Sequence, residues 1–261
     1  MTPRRLAAVL AAGVVLYAGA FALVLTNDLG DRRTLVLLVV ATGIVFTLTG
    51  AVAAAHRPDN RTGTQMLLVG LAWALGSLQA SETPALFTVG FLLSALAFVP
   101  FTWLILSYPT GKLPRADRPF VLAVAAIVTL GPLAVALTDP TPITGCTDCR
   151  ESSLLAVESS GLARASSLAY ALGAAAIALV AGIHLIRRYR AATPPLRRVV
   201  GPVYLITLEA LAALIASGLV TTVSDTTALW LEHVALISLA LVPIAFRAGI
   251  LPTRLALALS A

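Results

Sequence analysis

Three ionisable residues, Glu209, Glu232 and His233, fall inside long apolar runs. An ionisable group in hydrocarbon is costly enough that each is a candidate for function. A carboxyl or an imidazole held there suits a ligand or proton sensor. By helix rise, Glu232 lies about 9 Å below one end of its run. Glu209 lies about 18 Å below the adjacent end of the preceding run. The two can line one water-filled cavity between neighbouring antiparallel helices. The plainer alternative is that they bond to nearby backbone or to Tyr204 and only fix packing. Cys146 and Cys149 form a single C-x-x-C pair, CTDC. In an oxidising compartment this spacing fits a disulfide pinning its loop, a redox sensor, or half of a metal site. Structural zinc needs four ligands and no histidine lies near, while a disulfide relay needs a second cysteine pair. His184 and His233 fall at opposite ends of the bilayer, which argues against a bis-histidine haem. No catalytic set, metal site or cofactor is expected.

The elements that must position these groups are membrane spans. Mean hydropathy is +0.94, with 59% apolar and 11% charged residues, where a soluble domain carries about 25% charged. A bilayer needs about 20 apolar residues per helix, and the chain divides into eight such runs. They cover 6–26, 34–55, 64–81, 86–108, 120–138, 166–186, 199–221 and 226–251. Together they predict one all-α, polytopic membrane bundle over 1–261. The third run is short, and Gly70, Ala72, Ala74 and Gly76 suit close helix packing in lipid. Pro100 is expected to kink the fourth run, and Pro243 offers a hinge in the eighth. Ala20-Phe21-Ala22 resembles a signal cleavage site, but the apolar run continues past it, so the first span is expected to stay.

Charge sets the orientation. Fourteen Lys and Arg residues, from Arg4 and Arg5 through Arg247 and Arg254, fall on the side of the N-terminus. Four (Arg32, Arg33, Arg150 and Arg164) fall on the other. The positive-inside rule then places both termini in the cytoplasm and the loop 139–165 outside. The basic excess therefore reads as topology and contact with anionic headgroups, not as nucleic-acid binding. RRYRAATPPLRR, the most basic loop, is also open to a docking role.

RPDNRTG before the third span, LQASETPALFTVGFLL, LSYPTGKLPRADRP, CTDC and LVPIAFRAGILPTRL occur in this order. With these motifs the chain resembles the N-terminal membrane region of actinobacterial-type sensor histidine kinases. The resemblance implies a multi-pass protein of the bacterial inner membrane that works as a homodimer. It also implies a last span leading into a phosphoacceptor helix and an ATP-binding core. Neither is present up to Ala261, so the chain as it stands is expected not to be an enzyme. It would be the input half of a kinase, a truncated copy, or a subunit working with a kinase in trans. The expected function is a sensor of a two-component system, with stimulus entering near Glu209, Glu232 and His233 or the outer loop. The shift would pass through the last helix about Pro243. A small secondary transporter or permease, or a membrane scaffold, are the alternatives.

Overall fold

The computed structural model describes all residues except 1–2, 28, 30–32, 57–59, 143–150, 221–223 and 259–261, and no side chains at 3, 225 or 247–258. The described residues hold helices and no strand. The helices are α1 (Pro3–Thr26), α2 (Arg33–His56), α3 (Thr62–Gly76), α4 (Pro84–Ser94), α5 (Phe98–Ser107), α6 (Arg118–Thr138), α7 (Ser160–Ala191), α8 (Pro194–Val220) and α9 (Asp225–Ala258). Among the described residues seven stretches are long and apolar enough to cross a membrane. They fall on α1, α2, α4 with α5, α6, α7, α8 and the first two thirds of α9.

The short third run is α3 with a 3₁₀ extension, Ser77–Ala80. Its far end meets the end of α1, where Asn27 Nδ2 donates to the Ala80 carbonyl at 2.6 Å. Ala80 also packs with Val24 and Val36, while Leu67 packs with Ala51 and Ala54 near the other end of α2. This stretch therefore runs beside α1 and α2 over most of their length. The kink expected at Pro100 appears as a 3₁₀ turn at Ala95–Ala97, between α4 and α5. Proline has no N–H for the carbonyl four residues back, that of Leu96, so the chain tightens there. The expected loop 139–165 is shorter, because α7 begins at Ser160. Ser159 accounts for the difference: its Oγ accepts the Leu162 N–H at 3.4 Å, an N-cap that starts the helix early.

The chain forms two units, 1–175 and 176–261, with the boundary inside α7. In the first, α2 and α3 approach backbone to backbone through heptad-spaced glycines. A Cβ at Gly50 would lie 2.9 Å from the Gly63 carbonyl oxygen, and one at Gly43 would lie 3.2 Å from that of Gly70. Such small-residue contacts let helix backbones meet in an apolar medium, where side-chain burial gives little drive. Tyr17 reaches across from α1: its hydroxyl lies 2.8 Å from Thr47 Oγ1 and donates to the Gly70 carbonyl at 2.8 Å. Phe46 is fully buried and stacks edge-on with Trp73 and Phe101. Beyond α6 the segment 151–159 folds back, with Ser152 Oγ donating to the Ala136 carbonyl and the Ser153 N–H to Thr88 Oγ1.

In the second unit α8 and α9 form an antiparallel hairpin. Val203, Ala210 and Ser217 of α8 are buried at heptad spacing, as are Ala228, Ala235 and Val242 of α9. This is the 3.5-residue seam of coiled-coil packing. The last half of α7 lies along α8, since a Cβ at Gly182 would touch Leu208 and one at Gly201 would touch Tyr189. One arginine of RRYRAATPPLRR has a structural task. Arg197 donates to the Tyr189 and Arg190 carbonyls at 3.2 and 2.6 Å, and its guanidinium stands 5.7 Å from the Tyr189 ring centre. These carbonyls belong to the last turn of α7, where a cation also meets the negative end of the helix dipole. Replacing Arg197 with Ala is expected to cost about 1 kcal/mol. Faster amide exchange through the Ala192–Thr193 turn, with a lower melting temperature, would check it; unchanged exchange would remove the cap.

Candidate functional site

The candidate residues sit near the α8–α9 turn. Ser217 ends the buried stripe of α8, and its hydroxyl faces two acceptors one turn apart on α9. They are the Ala228 carbonyl at 3.1 Å and Glu232 Oε1 at 3.4 Å. A serine has one proton to donate, so it serves one acceptor at a time. The half-buried Glu232 is thereby linked to α8 through a hydroxyl that has an alternative partner. His233 is also half-buried. Its Nδ1 lies 2.6 Å from the Leu229 carbonyl. A carbonyl only accepts, so Nδ1 carries the hydrogen and Nε2 is left to take a proton or a donor. Trp230 is 68% exposed, and its ring centre stands 6.0 Å from that of His233. Seven residues into α9, Glu232 lies about 10 Å from the helix start. Trp230 and His233, three residues apart, share one face of α9, whereas Glu232 lies about 160° round the helix from Trp230 and faces α8. The imidazole beside the indole and the carboxyl beside Ser217 are therefore two separate candidate points for a polar ligand.

Glu209 does not join them. It is exposed on α8, whereas Thr207 and Ala210 on either side are buried. α8 and α9 are adjacent and antiparallel as the sequence suggests, but Glu209 is turned away from the face of α8 that meets Glu232. The physical reason is helical phase. Ser217 follows Glu209 by eight residues, about 80° round the helix, so the face that meets Glu232 is not the face that carries Glu209. Nor is Tyr204 its partner by position: Tyr204 is buried, five residues and about 140° away. Pro243 is buried within α9, which continues through it as helix. Cys146 and Cys149 lie outside the described residues.

A second polar cluster was not foreseen. It joins the loops on either side of α3–α5, RPDNRTG and YPTGKLPRADRP. Asn60 Oδ1 accepts from the Thr62 N–H at 3.0 Å and from Thr62 Oγ1 at 2.8 Å, opening α3 with an Asx turn. The same oxygen occupies the place where a Cβ at Gly111 would lie, and Gly111 has φ +71°. Only glycine satisfies both the left-handed backbone and the close approach. A turn deeper, Ser107 Oγ donates to Gln65 Oε1 at 3.0 Å. Gln65 is 1% exposed, and its Nε2 has no partner. The signal was present, since Asn two residues before Thr and a Gly after Pro-Thr are turn chemistry. What was not visible is that the two turns meet.

Among the described residues no group of three or more His, Cys, Asp or Glu is placed to hold a metal ion. No family model, curated protein or solved structure matches this chain.

Proposed function

We propose that the chain is a membrane-embedded sensor module of a two-component signalling system, crossing the bilayer eight times with both termini in the cytoplasm. The eighth crossing is α3 with its 3₁₀ extension, supported by its course beside α1 and α2. The cytoplasmic side is that of the basic loops, by the positive-inside rule. The membrane is then the bacterial cell membrane, and the partner is a cytoplasmic kinase domain in cis or in trans.

The observation that carries this reading is α9. It is a continuous helix of 34 residues, about 50 Å by helix rise, against a hydrocarbon thickness of about 30 Å. It bears Glu232 and His233 in its first third and continues beyond Phe246 through Arg247 and Arg254. A continuous helix that carries two ionisable residues near one end and is longer than the hydrocarbon is thick is what transmembrane signalling needs. Ser217 supplies two local states. With its proton on Glu232 it ties α8 to the carboxyl, and with its proton on the Ala228 carbonyl it releases it. A ligand or proton that favours one arrangement shifts the population, and α9 carries the shift. Pro243 weakens the hydrogen-bond ladder below this point and is the hinge of the movement.

The test is to read the gene past the codon for Ala261 and the genes beside it. An in-frame or adjacent kinase with a phosphoacceptor histidine and an ATP-binding core supports the reading. Without either, the signalling assignment fails. In the intact signalling chain, Glu232→Gln is expected to change basal kinase output several-fold at unchanged membrane level. An unchanged output takes Glu232 out of the mechanism.

One observation favours a second reading, a small secondary transporter. The α4–α5 stretch is broken at Ala95–Ala97, and broken spans commonly form transporter sites. Against it, residues 1–130 and 131–261 show no internal repeat. Solute uptake into proteoliposomes separates the two.

A further inference from the structure

Glu209 marks the middle of a membrane helix. It stands eleven residues after Arg198, the last basic residue before the apolar run of α8, and eleven before Val220, where α8 ends, about 16 Å from either by helix rise. That is half of a hydrocarbon core about 30 Å thick. The side chain is exposed there. Lipid chains offer a carboxyl no hydrogen bond, and bulk water does not reach that depth unaided. In this chain nothing described bonds to it.

The surroundings form a stripe. Arg198, Pro202, Leu205, Glu209, Ala212 and Ala216 succeed one another at spacings of 4, 3, 4, 3 and 4; all are exposed except the half-buried Ala216. This alternation keeps them on one face of α8 and is the spacing of a two-helix packing seam. The stripe is separate from the buried face that meets α9 and from the positions, Gly201 and Leu208, that meet α7. Ala212 and Ala216 make a small-x-x-x-small pair, which lets a second helix backbone come close. Glu209 is the one polar group in the seam between Pro202 and Ala216, and a single polar seam residue sets register.

We propose that this stripe is where two copies of the chain pair, α8 against α8, with the two Glu209 carboxyls hydrogen-bonded to each other at the bilayer centre. A second copy fits better than another occupant because of symmetry. A two-fold axis along the membrane normal brings each residue opposite its own counterpart at the same depth. A carboxyl that carries its proton both donates and accepts, so it is complementary to a second copy of itself. Arg198, at the end of the stripe, then reaches the headgroup region, where lipid phosphates separate the two guanidiniums. The pairing does not depend on signalling: a sensor and a transporter would use it equally.

The test is disulfide cross-linking in membrane vesicles of the full chain with Cys146 and Cys149 replaced by Ser and one reporter added. Ala212→Cys is expected to give a cross-linked dimer under mild oxidant. Leu122→Cys, on an exposed position of α6, is expected to give none. Adding Glu209→Leu, which removes the polar group without harming a span, should lower the Ala212→Cys dimer about tenfold at low protein-to-lipid ratio. Glu209→Gln, whose amide also donates and accepts, should keep most of it. Absence of the Ala212→Cys dimer with Glu209 intact overturns the interface. A dimer unaffected by Glu209→Leu overturns the role of the carboxyl.

Discussion

Gly63→Val is expected to cost about 3 kcal/mol, the upper part of the range for overpacking a tight interior. A Cβ at this position would meet Ala54 N, would lie 2.8 Å from Ala54 Cα and 2.9 Å from the Gly50 carbonyl oxygen. All are backbone atoms, so no rotamer change can make room. The α2 and α3 axes must part, and the loss spreads along the seam to Gly43 and Gly70. There the added Cβ atoms at Gly70 would already press on Thr47 Oγ1 and lie 2.7 Å from the Gly43 carbonyl oxygen. Helix propensity cannot account for such a loss, because valine is no worse than glycine in a helix interior. Gly19 supplies the control: nothing lies within 4 Å of a Cβ there, and Gly19→Val should leave stability within about 0.5 kcal/mol. Reversible unfolding in bicelles measures both. If Gly63→Val unfolds with the parent protein, the backbone contact between α2 and α3 is not there.

The helices were legible because hydropathy reports them directly. The expected run 34–55 is α2 within one residue at each end, and 226–251 starts within one residue of α9. The start of α7 was misplaced because a local cap outweighed composition. Ser159 begins α7 among polar residues that read as loop. The close packing of Gly70 and Gly76 was also visible, since small residues in an apolar run have few other uses. Their counterparts were not. That Gly70 faces Gly43, and Gly76 faces Ser94, depends on register between helices, which a sequence does not state. The same limit governs the candidate site. Glu232 and Glu209 could be placed along their helices from the sequence, since position along a helix follows from counting residues. In an all-apolar span, however, no amphipathic stripe tells which face meets a neighbour. Only the hairpin partner showed that Glu232 looks toward Ser217 while Glu209 looks away. The turn residues Asn60 and Gly111 carried plain local signals, and their meeting is again tertiary.

Phe46→Ala carries the other large effect, and its size tests what holds a bundle of this kind together. Phe46 has no exposed surface; its ring centre stands 5.5 Å from that of Trp73 at 82° and 6.1 Å from that of Phe101 at 76°. It thus joins α2 to α3 and α5. In a water-soluble core the substitution costs about 3–5 kcal/mol, the sum of a transfer term and a cavity term. In a bilayer the transfer term is small, because the separated helix meets lipid as apolar as the core. The cavity term remains: roughly 100 Å³ at about 24 cal/mol per Å³ gives about 2.4 kcal/mol. Lost edge-to-face contacts add about 0.5–1.5 kcal/mol. The expected loss is therefore about 3 kcal/mol. Phe46→Leu, which leaves a smaller void but loses both ring contacts, should fall near half of that. Reversible unfolding of the two variants separates the contributions. A loss near 5 kcal/mol for Ala would mean that water reaches this site in the unfolded state. A loss below 1 kcal/mol would mean that the three rings do not pack as described, and that the glycine seam alone holds α2 to its neighbours.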